Sequence, residues 1–353
     1  MTKVAETMKA AVLYGRQDVR IERIPLARLL PGEVLVKIEA ALTCGTDVKV
    51  YRRGYHARMI HLPSVFGHEF AGTIAAVGDG VREFTSGMRV VAANSAPCGR
   101  CFYCHRGEHA VCDDLLFLNG SYAEYITIPS RIVETNLLPI PDHLSYTAAA
   151  MVEPVACVLR GLEESDIRPG DTVAVLGLGP IGLLFVALAK WRGARVLAFG
   201  KRRSRLSLAE HLGADAVFDV DRIPHVPSQV RALTSGRGAD RVIECVGHHR
   251  AWELALGCAR KGAIVTLFGG CASGTTVTLD THRFHYDQLT IKSPFHHTPR
   301  HVREALRLIA DGIIVPDRWI SHHAPLDDLP SVMAHLIQPN GTLKVAIYPN
   351  GTR

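Results

Sequence analysis

The 353-residue chain contains no uninterrupted apolar run long enough to cross a bilayer. Its most apolar patch, residues 148–162, is broken by Glu153, Pro154 and Arg160. The first residues lack the apolar core of a secretory signal, so a cytoplasmic protein is expected. Long runs of Lys and Arg are also missing. The formal net charge is only +6, and the densest basic group is Lys201-Arg202-Arg203. Neither a membrane nor a nucleic acid is an expected partner. There is no internal repeat and no low-complexity linker. With 47% hydrophobic and 21% charged residues, the composition is that of an ordinary globular chain, long enough for two domains.

Residues 8–150 read as rich in strands and turns, with short apolar alternations such as residues 34–40 bounded by Pro-Gly and Gly-Asp. From about residue 170 the rhythm becomes strand, helix, strand, helix. Strands are expected at 172–176, 195–199, 216–220, 241–246 and 263–268. Helices are expected at 180–191, 204–212 and 251–260. This alternation implies a parallel sheet flanked by helices, an α/β fold. A helix at 300–311 and a closing strand near 343–347 leave that rhythm, and the tail is expected to return to the first domain.

Four of the nine cysteines fall in one 15-residue stretch: Cys98, Cys101, Cys104 and Cys112, a C-x2-C-x2-C-x7-C pattern. Four thiolates spaced this closely can converge on one tetrahedral zinc and close its coordination sphere. The alternatives are disulfides, which fit poorly with a chain of this length without a secretory start, and an iron–sulfur cluster, whose cysteine runs have other spacings. Thiol ligands must stay reduced, which also fits the cytoplasm. Cys157, Cys245, Cys258 and Cys271 stand among apolar or small residues and read as core fillers.

A second set has a different character. Cys44-Gly-Thr46-Asp47 is read as a turn after a strand. Gly67-His68-Glu69 is read as another, with His68 placed 24 residues after Cys44. Glu153-Pro154 precedes the sheet domain. One thiolate, one imidazole and one or two carboxylates make a zinc site that keeps a position open, as catalytic sites do.

Gly177-Leu-Gly179-Pro-Ile181-Gly182 is a G-x-G-x-x-G element between an expected strand and an expected helix, the context that dinucleotide binding requires. Gly177 permits the turn, Gly179 lets backbone approach a pyrophosphate, and Gly182 lets helix and strand pack. At the end of the second strand an NAD-binding fold usually carries Asp or Glu. Here the sequence is Gly200-Lys201-Arg202-Arg203. Gly200 leaves room for a 2′-phosphate, and Lys201 and Arg202 can pair with one. NADP(H) is therefore expected over NAD(H), with Arg205 a further contact to the adenosine. The alternative is a solvated helix start indifferent to the cofactor.

Taken together, Gly67-His68-Glu69 with Gly72 and Gly78, the four-cysteine lobe, and Gly177 to Gly182 resemble the zinc-containing medium-chain dehydrogenases/reductases, the alcohol dehydrogenase superfamily. The resemblance covers nearly the whole chain. It implies a GroES-like β-rich catalytic domain (residues 1–156 and 295–353, with the zinc lobe at 98–112) and a Rossmann coenzyme domain (157–294). Glu153 stands where many relatives carry a third zinc cysteine, as in the sorbitol, threonine and galactitol-phosphate dehydrogenase branch. In that branch Cys44 and His68 would ligate a catalytic zinc, with Glu69 or Glu153 as further ligand or partner of a bound water. A second, structural zinc would occupy the cysteine lobe.

The implied reaction is hydride transfer between a secondary alcohol, of polyol, sugar or cyclitol type, and NADP(H). Thr46 would pass the proton outward, and Asp47 would orient the histidine. Lys49 stands where many relatives end their proton relay in His, so the relay is rewired, Lys49 meets the cofactor or an anionic substrate, or it is a solvated lysine. Residues 295–298 (Phe-His-His-Thr), Tyr51, Phe117 and Asn119 are candidates for the substrate wall. The expected partner is a small alcohol or carbonyl compound, and the expected assembly is a homodimer or homotetramer. Other readings are NAD(H) with a simple alcohol or amino-alcohol, a non-catalytic nucleotide-binding zinc protein, and a zinc-stapled interaction module.

Overall fold

The computed structural model describes residues 6–55, 59–338 and 340–351. Residues 1–5, most of the start read for its lack of an apolar core, lie outside the described residues. No described helix is long and apolar enough to cross a membrane. The chain divides into two compact units, Met1–Ala156 with His297–Arg353, and Cys157–His296.

The first unit is built on a seven-stranded sheet. Its strands run in the order Leu137–Pro139, Arg89–Ala92, Glu69–Val77, Val34–Leu42, Lys344–Tyr348, Ile320–Pro325, and Tyr125–Ile128 also pairs with Val34–Leu42. The C-terminal strand thus returns to this unit, with Ala346 opposite Leu42. Strand Glu69–Val77 pairs antiparallel with Val34–Leu42, placing Glu69 opposite Leu42. Gly72 is fixed by this pairing, because a Cβ there would sit 2.0 Å from the Lys37 carbonyl oxygen. Val36, Ile38, Phe66, Phe70, Ile74, Tyr122 and Ile128 form the centre of the core.

The second unit is a six-stranded parallel sheet. Its order is Ala216–Asp219, Arg195–Gly200, Thr172–Leu176, Ala239–Glu244, Ala259–Leu267, Thr290–Lys292. The order reverses between Thr172–Leu176 and Ala239–Glu244, so the switch point where such sheets bind ligands lies between their C-terminal ends. The strand Thr172–Leu176 is buried on both faces, as its continuous apolar run requires.

Two local expectations change. Cys44 to Asp47 is the start of a helix, Gly45–Arg53, because Cys44 and Asp47 form a capping box. Arg260, expected at a helix end, belongs to a strand. The helix is His249–Cys258, and Ala259 already pairs with Ala239.

Asp240 ties three adjacent strands together. Its carboxylate accepts from the Thr172 amide (2.7 Å) and from Arg260 Nε (2.6 Å). Burial raises its pKa, but these donors outweigh burial and hold it below the usual value. The sign follows: this contribution is complete above the unfolded pKa of about 3.9 and is lost as pH falls through the lower folded value. Asp240→Asn should destabilise the protein by about 1–2 kcal/mol at pH 7. In denaturant titrations the gap from wild type should close below pH 4; a pH-independent gap would contradict this account.

Candidate active site

Cys44 ends the loop after Val34–Leu42 and caps the helix Gly45–Arg53. Its sulfur accepts from the Thr46 amide at 3.4 Å. The Asp47 side chain turns back to accept from the Cys44 amide at 3.1 Å, so the helix start fixes both residues. Glu69 opens the neighbouring strand and His68 immediately precedes it, and both are buried. Gly67 precedes them at φ +88°, where a Cβ would lie 2.5 Å from Ser121 Oγ and 2.7 Å from the Tyr122 ring.

One ligand atom from each of Cys44, His68 and Glu69 lies within 4.8 Å of the others. Asp47 Oδ1 lies 3.2 Å from His68 Nδ1, which leaves Nε2 as the nitrogen available to a metal. Asp47 Oδ2 also accepts from the Tyr122 hydroxyl at 2.6 Å. Burial alone would raise Asp47, but His68 and Tyr122 beside it hold its carboxyl below the usual range. Burial would lower His68, but the Asp47 charge outweighs it and pushes the imidazole well up. A soft, half-buried sulfur with a buried imidazole and a buried carboxylate in one cluster fits zinc.

Glu69 reaches this set as half of a buried ion pair. Lys344 Nζ donates to both carboxylate oxygens, at 2.7 Å to Oε1, and to the Thr43 carbonyl at 3.1 Å. Burial raises the Glu69 carboxyl to about 7 against the opposing pull of Lys344. Glu153 is in the first turn of the helix Val152–Glu164, close enough to Glu69 to raise it electrostatically. Its carboxylate lies within 4.8 Å of a His297 ring nitrogen, not in the Cys44 cluster. His297 is itself buried, with Nε2 3.2 Å from Asn94 Oδ1. Thr46 and Lys49 are half-buried on the helix begun by Cys44.

Other expected wall residues have structural work. Tyr51 is in the core, and Asn119 Nδ2 donates to the Met59 carbonyl at 2.6 Å. Phe117 is half-buried in the short strand Leu116–Phe117, paired with Ser95–Ala96. Thr298 bonds His301 Nδ1 at 2.7 Å where the helix Pro299–Ala310 begins. Phe295 is half exposed, and His296 is buried with φ +66°.

Lys344 and Tyr122 were missed in the sequence. A single lysine inside the apolar closing strand was the available signal for the first. Tyr122 carried none.

The four lobe cysteines form no disulfide. Cys98 and Cys104 sulfurs are 3.9 Å apart, and those of Cys101 and Cys112 are 3.8 Å apart. A disulfide needs about 2.05 Å. Four sulfurs about 2.3 Å from one zinc would be about 3.8 Å from each other, so this spacing fits a tetrahedral ion. Amides, foremost that of Asp113, lower Cys101 to about 6, while burial raises Cys112 to about 12. A cation is therefore needed for all four to be thiolates together. Cys258 is buried as a core filler, whereas Cys157, Cys245 and Cys271 are only partly buried.

In the second unit each glycine of the loop has its own reason. Gly177 adopts φ +99°. A Cβ on Gly182 would sit 1.8 Å from the Gly177 carbonyl oxygen. A Cβ on Gly179 would meet no protein atom within 4 Å, so packing does not demand glycine there, whereas the approach of a phosphate would. Gly179 caps the helix Pro180–Trp191, whose first turn carries Ile181 and presents its amides at this open position.

The space expected above Gly200 is occupied: a Cβ there would lie 2.6–2.8 Å from three Leu178 side-chain atoms. Lys201 is paired with Asp221 at 2.6 Å, both exposed. Arg202 caps the next helix with φ +78°, a strained value for arginine. Burial first, and the Arg202 charge second, lower the Arg205 pKa.

Comparison with known proteins shows the family. Residues 30–142 match the alcohol dehydrogenase GroES-like domain, and residues 180–311 match the zinc-binding dehydrogenase family. Sorbitol dehydrogenase of Bacillus subtilis (strain 168) is 31% identical over 98% of this chain and 99% of its own length. L-Threonine 3-dehydrogenase of Bacillus velezensis is 34% identical over 87% of this chain and 89% of its own. A solved structure from Sinorhizobium meliloti 1021, provisionally assigned as a zinc-binding dehydrogenase and bound to NADP, superposes with TM-score 0.88 at 31% identity, covering 98% of this chain and all of the other. The chain belongs to the zinc-binding medium-chain alcohol dehydrogenase family, with a GroES-like domain and a Rossmann-like parallel sheet.

Two outcomes are expected. Lys344→Met leaves Glu69 buried without its cation and should cost about 3–5 kcal/mol, with Glu69→Gln/Lys344→Met recovering part of it in thermal unfolding. Cys101→Ser should lower the zinc content found by metal analysis, and an unchanged content would contradict a metal at the four sulfurs.

Proposed function

We propose that this protein is a zinc-dependent oxidoreductase that moves hydride between a secondary alcohol of polyol, sugar or cyclitol type and NADP(H). The observation that carries the reading is the cluster of half-buried Cys44 with buried His68 and Glu69, and Asp47 behind the histidine. Cys44 Sγ and His68 Nε2 would hold a catalytic zinc, with Glu69 or Glu153 as the further ligand or the partner of a bound water. Zinc bound there supplies Lewis acidity toward an alcohol or carbonyl oxygen, and the nicotinamide supplies the hydride acceptor or donor.

Asp47 keeps the imidazole in one tautomer and one orientation. Thr46, two residues after the thiolate and on the same helix turn, takes the alcohol proton at its hydroxyl while releasing its own to water. Lys49, one turn further along, meets an anionic group, because its ammonium has no site for a further proton. The four lobe thiolates leave no open ligand position, so their zinc is structural. Gly179 and the amides that open the helix Pro180–Trp191 receive the pyrophosphate. The two thiolate-bearing sets fit a reducing compartment such as the cytoplasm.

NADP(H) is preferred because the strand Arg195–Gly200 ends without an acid and is followed by Arg202, Arg203 and Arg205. A second reading, NAD(H), is favoured by two observations. Asp221 already neutralises Lys201, and Leu178 explains Gly200 without a phosphate. Steady-state kinetics on a polyol and amino-alcohol panel with both cofactors decide between them. The expected result is a kcat/KM at least about tenfold higher with NADP+. Arg202→Ala should raise KM for NADP+ about tenfold, one charge-assisted phosphate contact, and leave NAD+ unchanged. Equal or better turnover with NAD+ refutes the preference. Full activity in His68→Ala refutes the zinc assignment.

A further inference from the structure

Glu244 is a fully buried carboxylate that the proposed chemistry does not use. It is the last residue of the strand Ala239–Glu244, across the switch point from the strand that feeds the glycine loop. Its Oε1 accepts from two successive amides of the loop that follows, Val246 at 2.6 Å and Gly247 at 2.8 Å. Its carbonyl accepts from Phe268 and Gly269, both at 3.0 Å, where the adjacent strand ends.

The neighbouring glycines record how closely these loops meet. A Cβ on Gly269 would lie 2.3 Å from the Gly247 nitrogen and 2.8 Å from Glu244 Oε2. A Cβ on Gly247 would lie 2.6 Å from the Gly270 carbonyl oxygen. Val246, half exposed, leans on the glycine loop, with Cγ2 2.7 Å from where a Gly177 Cβ would be. The carboxylate therefore fixes Val246 and Gly247, which sets Val246 against Gly177 and Gly247 against Gly269 and Gly270, while the backbone carbonyl of Glu244 holds the exit of the adjacent strand.

A dinucleotide lies across the C-terminal ends of such a sheet, with one half on each side of the switch point. The adenosine half belongs over the side that carries Gly200 and Arg202. The nicotinamide half then belongs over the exits of Ala239–Glu244 and Ala259–Leu267. We infer that the Glu244 side chain is a positioning residue for the nicotinamide half of the cofactor, acting through Val246 and Gly247, the latter packed against Gly269. The inference rests on the nucleotide reading given above.

The test compares each dinucleotide with its nicotinamide-free half, NADP+ with adenosine 2′,5′-bisphosphate and NAD+ with ADP, by calorimetry on the full chain. The wild type is measured beside Glu244→Ala, Glu244→Asp and Glu244→Gln. Glu244→Ala and Glu244→Asp should weaken the preferred dinucleotide about tenfold or more, with the half-ligand changed less than about twofold. Glu244→Gln keeps an oxygen at Oε1 and should return the dinucleotide to within about threefold of wild type. Glu244→Asp retains a carboxylate and serves if the alanine variant does not fold. Equal losses for dinucleotide and half-ligand, or no loss for either, overturn the inference while leaving the nucleotide reading intact. Failure of the wild type to bind either dinucleotide overturns both.

Discussion

The chemistry of the first unit depends on where one buried carboxylate, Asp47, is held. Its two oxygens meet the Cys44 amide, the Tyr122 hydroxyl and the His68 ring. The first contact starts a helix and fixes the sulfur that precedes it. The last fixes an imidazole that arrives from another strand. Cys44 and His68 thus share one reference point, which their separation along the chain could not provide. In water such a carboxylate would be solvated and its neighbours free to turn. Buried, it has few alternatives, and its partners inherit its position.

The Glu69–Lys344 pair works under the same constraint at greater cost. Removing two charges from water is expensive, and a well-packed apolar pair would be at least as stable. The pair nevertheless puts a carboxylate beside a thiolate and an imidazole and fixes its direction. The antiparallel pairing of the closing strand with Val34–Leu42 brings a residue near the C-terminus to this point. The C-terminal segment is therefore part of the site's construction, and the first unit cannot be assembled from the first half of the chain alone.

What could be read in the sequence follows the range of the interactions involved. The helix Pro180–Trp191 and the parallel strands were legible because local apolar periodicity and glycine punctuation determine them. The clustering of the four lobe cysteines was legible because they lie within one short segment. The helix start at Gly45 was hidden: a cysteine is an uncommon cap, and the aspartate that completes the box reads first as a turn residue. Lys344 and Tyr122 were hidden for a different reason. Their partners lie far along the chain, and only strand register brings them together. The glycine at position 200 was identified as unusual, but its cause was misread. The sequence reports a missing side chain without saying what fills the space.

That space is filled by Leu178, the residue between the first two glycines of the nucleotide loop. Position 200 and the packing of the glycine loop are therefore coupled. In a lineage descended from this chain, any larger residue at position 200 would first have to displace a leucine of that loop. The shortest evolutionary route to one begins with a smaller residue at 178, and each step alone would be at a disadvantage. Such paired dependence holds both residues in place long after selection on either has relaxed.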